Sequence, residues 1–196
     1  MENIRNYLMT ILMVGLIFLS NISTAQERDR ANLVKNKELD FRYGQLFENI
    51  ENTQQYGIME LLRMEEDFSH FVKLIEEAGF EDSIRRMDGV TLLAPVDYAF
   101  EMYSEEQKLE NLSILEITIF IKSHIIPKNL PFSGFKEGQK IESASGEKWL
   151  IDQEEILQDD RPPYVFIGDS RIVKPDVKAS NGLIHVIDGL AASERK

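Results

Sequence analysis

Apolar positions along this chain change their spacing part-way, from a repeat of three and four to alternation. Phe68, Phe71, Ile75 and Ala78 step by 3, 4 and 3, the one-face repeat of an amphipathic helix, and Gly79 supplies a stop. Ile114, Ile117, Ile121 and His124 repeat that spacing up to Pro127, which predicts a second helix with His124 on its buried face. Ser113 with Glu116 stands directly before this run at capping-box spacing, as does Ser104 with Gln107 further upstream. Between the helices, Val90 to Ala94 (VTLLA) is a short β-rich run closed by Pro95 and reads as a buried strand. Asp97 is then placed to cap a short helix starting at Tyr98-Ala99-Phe100.

From Gly134 onward the pattern is that of β-ribbons. Residues 141–144 and 148–151 flank Ser145-Gly146, and 164–167 and 171–174 flank Gly168-Asp169, so two hairpins are expected. Asn181-Gly182, read as a turn needing positive φ, leads into Leu183 to Asp188 (LIHVID), apolar on both faces apart from His185 and Asp188. Helices first and strands afterwards give an α+β fold rather than alternating βαβ units. We place the domain at 53–195.

Two segments precede it. Residues 1–25 combine a basic residue, an apolar stretch (YLMTILMVGLIFL) and small residues at Ser23 and Ala25, the pattern of a cleaved signal peptide. The apolar stretch is too short for a membrane span of about 20 residues. Residues 26–52 form a charged N-terminal extension whose scattered Leu, Val, Ile and Phe predict a partly helical segment laid on the domain.

Composition removes whole classes of function. The 196 residues contain no cysteine, which excludes disulfides, zinc-cysteine clusters and a thiol nucleophile. A net charge of -12 disfavours binding to nucleic acid or to an anionic membrane surface. Only three histidines occur, at 70, 124 and 185, with no two at ligand spacing, so no metal site is expected. No nucleophile elbow, phosphate loop or zincin motif is present. His124 and His185 read as buried, hydrogen-bonded histidines, His70 as solvent-facing. Glu65-Glu66-Asp67 and Asp159-Asp160 read as solvated charge runs, and Asp176 as an exposed turn acid or a binding residue.

Two stretches resemble a known family. Thr91-Leu92-Leu93-Ala94-Pro95-Val96-Asp97-Tyr98-Ala99-Phe100 is similar to the first signature of fasciclin domains, and Ser180-Asn181-Gly182-Leu183-Ile184-His185-Val186-Ile187-Asp188 to the second. Ser123-His124 falls where the family carries a Tyr-His pair; Ser123 departs from that pair, as Val96 departs from the hydroxyl residue of the first signature. The resemblance implies a fasciclin-like fold, a helical layer on a β-sheet and β-ribbon wedge, in a single-domain bacterial-type secreted member. Within it Ala94, Pro95, Asp97, Phe100, Asn181, Gly182, His185 and Asp188 are structural.

Several animal matrix proteins of the family bind integrins near the Tyr-His pair and near an Asp-Ile motif, to which Pro175-Asp176-Val177 is similar. The resemblance therefore makes Pro175, Asp176, Val177, Ser123 and His124 the candidate binding residues. The function expected is a non-catalytic exported module for cell-surface or matrix adhesion, periplasmic or extracellular. It would be monomeric, without cofactor, facing a surface protein or glycan, with no nucleic acid and no membrane insertion once the leader is cleaved. The alternative is a carrier holding a small apolar ligand between helices and sheet; a carboxylate hydrolase has no motif in its support.

Overall fold

The computed structural model describes residues 37–102, 112–155 and 162–191. The 1–25 leader, residues 26–36 of the extension, the Ser104/Gln107 pair and Asp159-Asp160 lie outside them. Compactness divides the chain into Met1–Phe41 and Arg42–Lys196. Residues 37–44 are helical (α1).

Among the described residues of the second unit, five further helices are α2 (Ile58–Met64), α3 (Ser69–Glu77), α4 (Glu81–Arg86), α5 (Asp97–Met102) and α6 (Ile114–Ser123). Seven strands are β1 (Val90–Pro95), β2 (Ile125–Ile126), β3 (Lys140–Glu142), β4 (Lys148–Glu154), β5 (Tyr164–Ile167), β6 (Ser170–Ala179) and β7 (Gly182–Ile187). They form one sheet in the order β2-β1-β7-β6-β5-β4-β3. β1 and β7 pair in parallel, from Val90↔Gly182 to Pro95↔Ile187, and the remaining pairs are antiparallel. The α+β class and both expected hairpins are therefore present.

β1 is buried along its whole length, as its uninterrupted apolar run requires. Leu93 faces a cluster with Ile126, Phe135, Trp149, Ile167 and Ile187 on the ribbon side. Leu92 and Ala94 alternate to the opposite face, where α2 and α6 contact β7 and the β1–β2 edge. Trp149 Nε1 donates to the Ser123 carbonyl at 3.2 Å and ties the ribbon to the end of α6.

Several expectations are corrected. α6 stops at Ser123 with His124 as its C-cap, and Ile125-Ile126 cross over to pair with β1. Ile114, expected on the buried stripe, is 65% exposed, because it is the first residue of α6 and precedes the packed turn. The Ser113–Glu116 capping box is formed as read. Asp97 does not cap its own helix: it lies in the first turn of α5, and its carboxylate accepts from Ser69 Oγ at 2.7 Å and the His70 amide at 2.9 Å. It thus caps α3, whose own N-cap residue Phe68 makes no side-chain cap.

Asn181 and Gly182 do not have positive φ. Gly182 is required by proximity instead, since a Cβ there would lie 2.3 Å from the Val90 carbonyl oxygen. The Asn181 side chain accepts from the Ile58 amide at 2.9 Å and donates to the Ile84 carbonyl at 3.0 Å, joining α2 and α4 to the start of β7.

Candidate functional site: the β6 bulge and its cleft

The lone proline of β6 explains what happens in mid-strand. β6 and β7 pair Lys174 with Val186 and Val177 with Ile184, so Pro175 and Asp176 together oppose the single residue His185. This is a β-bulge, where a residue without an N–H costs the ladder nothing. Asp176 takes φ 56°, in the left-handed region that Asp tolerates better than most side chains.

His185 closes the gap left in the ladder. Its Nδ1 accepts from the Asp176 amide at 3.1 Å, and its Nε2 donates to the Leu130 carbonyl at 2.8 Å. Leu130 is held for this by Thr91, whose Oγ1 accepts the Leu130 amide at 2.8 Å while donating to the Lys128 carbonyl at 2.9 Å. The Asp176 carboxylate reaches the same region, accepting from the Phe132 amide at 2.9 Å. Burial pushes the His185 pKa below its ordinary value; the Leu130 carbonyl and the Asp176 charge pull it back up.

Pro175 and Asp176 are exposed, whereas Val177 is buried and anchors the bulge. Beside them opens a cleft of about 230 Å³ walled by Leu46, Phe47, Glu48 and Thr53 on one side and by Lys174 to Lys178 on the other. Phe47, on the facing wall, has φ 64° and stacks on Phe68 at 5.7 Å, its amide donating to Glu65 Oε1 at 2.5 Å. Glu65, read from the sequence as a solvated charge, therefore fixes a strained residue. Among the described residues Phe47 and Asp176 are the two non-glycine residues with positive φ, and they line the same cleft. Strain of this kind gathers where a surface has a task beyond folding. Lys174 reaches the Gly44 carbonyl and lies 3.6 Å from the Glu48 carboxylate, bridging the walls. Phe47 and Lys174 escaped the sequence reading because nothing local marks a left-handed phenylalanine or a lysine that crosses a groove.

The other expected binding pair lies elsewhere. Ser123 and His124 are buried, so direct contact with a partner, as the Tyr-His resemblance implies, is not open to them. Ser123 Oγ donates to the Phe120 carbonyl at 2.7 Å. His124 Nδ1 donates to the Phe120 carbonyl at 2.8 Å, and Nε2 accepts from the Ala191 amide at 3.1 Å. With both nitrogens engaged in a wholly buried site, burial pushes its pKa down to about 4.

The residues expected to be structural sit in packing positions. Asp188 accepts from the Arg171 amide at 2.9 Å and lies 3.4 Å from Arg171 Nε, and the Arg171 guanidinium sits over the Tyr164 ring at 4.7 Å. Phe100 stacks on His70 at 5.5 Å. His70 is half exposed, as expected, yet its Nδ1 lies 3.1 Å from Asp97. Ala94 and Pro95 are buried in β1. Among the described residues no group of three or more His, Asp or Glu is arranged to hold a metal ion.

A seven-stranded mixed sheet with helices over its centre, and an imidazole bracing a bulge in β6, define a domain of α+β architecture. Residues 66–191 match the fasciclin domain family, and the chain belongs to that family. It is 25% identical over 151 residues to the transforming growth factor-beta-induced protein ig-h3 of Sus scrofa, an alignment covering 75% of this chain and 21% of that protein. Against human periostin the identity is 24%, covering 74% of this chain and 17% of periostin. The chain thus spans about a fifth of those relatives' length. An uncharacterized protein of Synechocystis matches at 23% identity over 68% of this chain and 96% of its own length. A FAS1 domain pair from the insect cell adhesion molecule fasciclin I shares the fold, with a TM-score of 0.52 and 18% identity over 63% of this chain and 44% of that one.

Proposed function

We propose that this chain is a non-catalytic, exported adhesion module that contacts a partner protein through the Pro175–Asp176 bulge and the adjoining cleft. The observation that carries the reading is the pairing of Phe47 and Asp176, two strained residues on facing walls of one surface cleft, each held by a hydrogen bond from a distant element. A rigid scaffold that presents a charged, irregular surface element is the usual construction of a binding site. Kinship with a domain pair from an insect cell adhesion molecule favours the same class. Export rests on the leader pattern of residues 1–25; among the described residues no helix is long and apolar enough to cross a membrane.

Asp176→Asn isolates the contact, because Asn tolerates the left-handed region and keeps an Oδ1 acceptor for the Phe132 amide while losing the charge. In a deletion strain complemented with wild-type or variant chain, we expect the wild type to restore cell attachment and Asp176→Asn to restore at most about a tenth of it, with an unchanged melting temperature. Full attachment by a folded Asp176→Asn, Lys178→Ala double variant removes the bulge as the contact. Fractionation of the same strains is expected to place the chain outside the cytoplasm.

A further inference from the structure

A second and larger cleft, of about 560 Å³, is walled by the 49–56 segment and Met64. That volume is within the range of small-molecule sites, where a few oriented polar groups accompany an apolar wall. Its polar lining residues are Asn49, Asn52 and Gln55, which carry side-chain amides, and Glu51, which carries a carboxylate. Its apolar lining residues are Tyr56 and Ile50, both half-buried, and the exposed Met64 at the end of α2. Among the described residues no lysine, arginine or histidine lines it.

The donor and acceptor inventory is specific. Side-chain amides offer N–H donors and a carbonyl acceptor in one plane, and a carboxylate offers acceptors alone. Asn52 spends its carbonyl oxygen on the Gln54 amide at 3.1 Å and keeps its two N–H donors. The side chains of Asn49, Glu51 and Gln55 make no hydrogen bond among the described residues, so their capacity is open to a ligand. A ligand that matches must carry many groups able both to donate and to accept, next to a flat face of C–H bonds for the tyrosine ring. An anion is disfavoured by Glu51 and by a described lining without a cation, and a purely apolar ligand would bury the amides unpaired.

The walls are preorganised, which limits the entropy lost on binding. The Gln55 amide donates to the Asn52 carbonyl at 3.3 Å and the Tyr56 amide to the Thr53 carbonyl at 3.1 Å, closing a 3-10 turn. The Tyr56 carbonyl is fixed by the Ser180 amide at 2.8 Å and the Ile50 amide by the Phe47 carbonyl at 3.1 Å, so both ends of the segment are tied down.

We infer that this cleft is a subsite for a neutral saccharide, with the sugar's C–H face on Tyr56 and its hydroxyls shared among Asn49, Glu51, Asn52 and Gln55. It is separate from the Asp176 bulge and does not depend on the protein contact proposed there. The test titrates the purified full chain with maltotriose, cellotriose, mannotriose, diacetylchitobiose and 3′-sialyllactose, using calorimetry and saturation-transfer NMR. At least one neutral sugar is expected to bind with a Kd of about 10⁻³ M or tighter. Tyr56→Ala should weaken it at least about tenfold, Tyr56→Trp should preserve it through its own ring face, and Asp176→Asn should leave it unchanged. Should Tyr56→Ala not fold, an Asn49→Ala, Gln55→Ala double variant carries the same expectation. Absence of binding by all four neutral sugars overturns the inference, as does equal binding of 3′-sialyllactose or wild-type affinity in the folded alanine variants.

Discussion

Both buried imidazoles accept a backbone N–H on one nitrogen and donate to a backbone carbonyl with the other, so each is confined to one neutral tautomer, Nδ1–H at His124 and Nε2–H at His185. A second ring proton would face an N–H. For His124 the pKa falls from 6.5 in the open chain to about 4 in the fold. Above pH 6.5 both states are neutral and stability is complete; as pH falls toward 4 the unfolded chain binds a proton that the folded chain refuses, and stability declines. The loss from His124 is about 3 kcal/mol across that window, and His185 adds in the same direction. Urea unfolding at pH 7, 6 and 5 should show this slope, and a flat profile would refute the assignment. Burial of His185 could be read from its apolar strand; its partners could not, since they are backbone atoms of Leu130 and Asp176, whose positions only the bulge and the Thr91 pin determine. The same holds for Gly182, where the demand for glycine comes from the neighbouring strand and not from a turn. Gly182→Ala is expected to cost about 2–3 kcal/mol, and Asn181→Ala about 1–3 kcal/mol through two lost backbone partners, both measured as lowered urea midpoints.

At the scale of elements, β1, β7, α3 and α6 were legible because each satisfies its own local pattern: continuous apolar runs for strands paired on both sides, three-four spacing for helices with one packed face. β6 was legible only to Lys174, since Pro175 argues against strand continuation unless a bulge relieves it of its missing donor. β2 was hidden in the apolar run between α6 and Pro127. The cap of α3 could not be seen at all, since Asp97 lies 27 residues from the amide it serves. That borrowed cap couples two helices. Asp97→Ala should cost about 1–2 kcal/mol and speed hydrogen exchange first at the His70 and Phe71 amides of α3, where a loss confined to α5 would contradict the assignment.

The Arg42–Lys196 unit is organised around the parallel β1–β7 pair, which is buried on both faces and flanked by β2 and β6. Amide exchange should therefore be slowest in Leu92–Ala94 and Ile184–Val186 and fastest in β3 and β4, which carry alternating exposed residues at the end of the sheet; equal protection of both regions would argue against this hierarchy. The position of β7 also has a consequence for synthesis. The ribosome makes this strand after the other six, yet it belongs between β1 and β6. Until Gly182–Ile187 emerges, β1 and β6 each wait with an open edge, and the ribbon hairpins have no centre to join. A message truncated just ahead of codon 182 would not yield a slightly shortened domain; it would release a sticky intermediate, dependent on chaperones and marked for proteolysis.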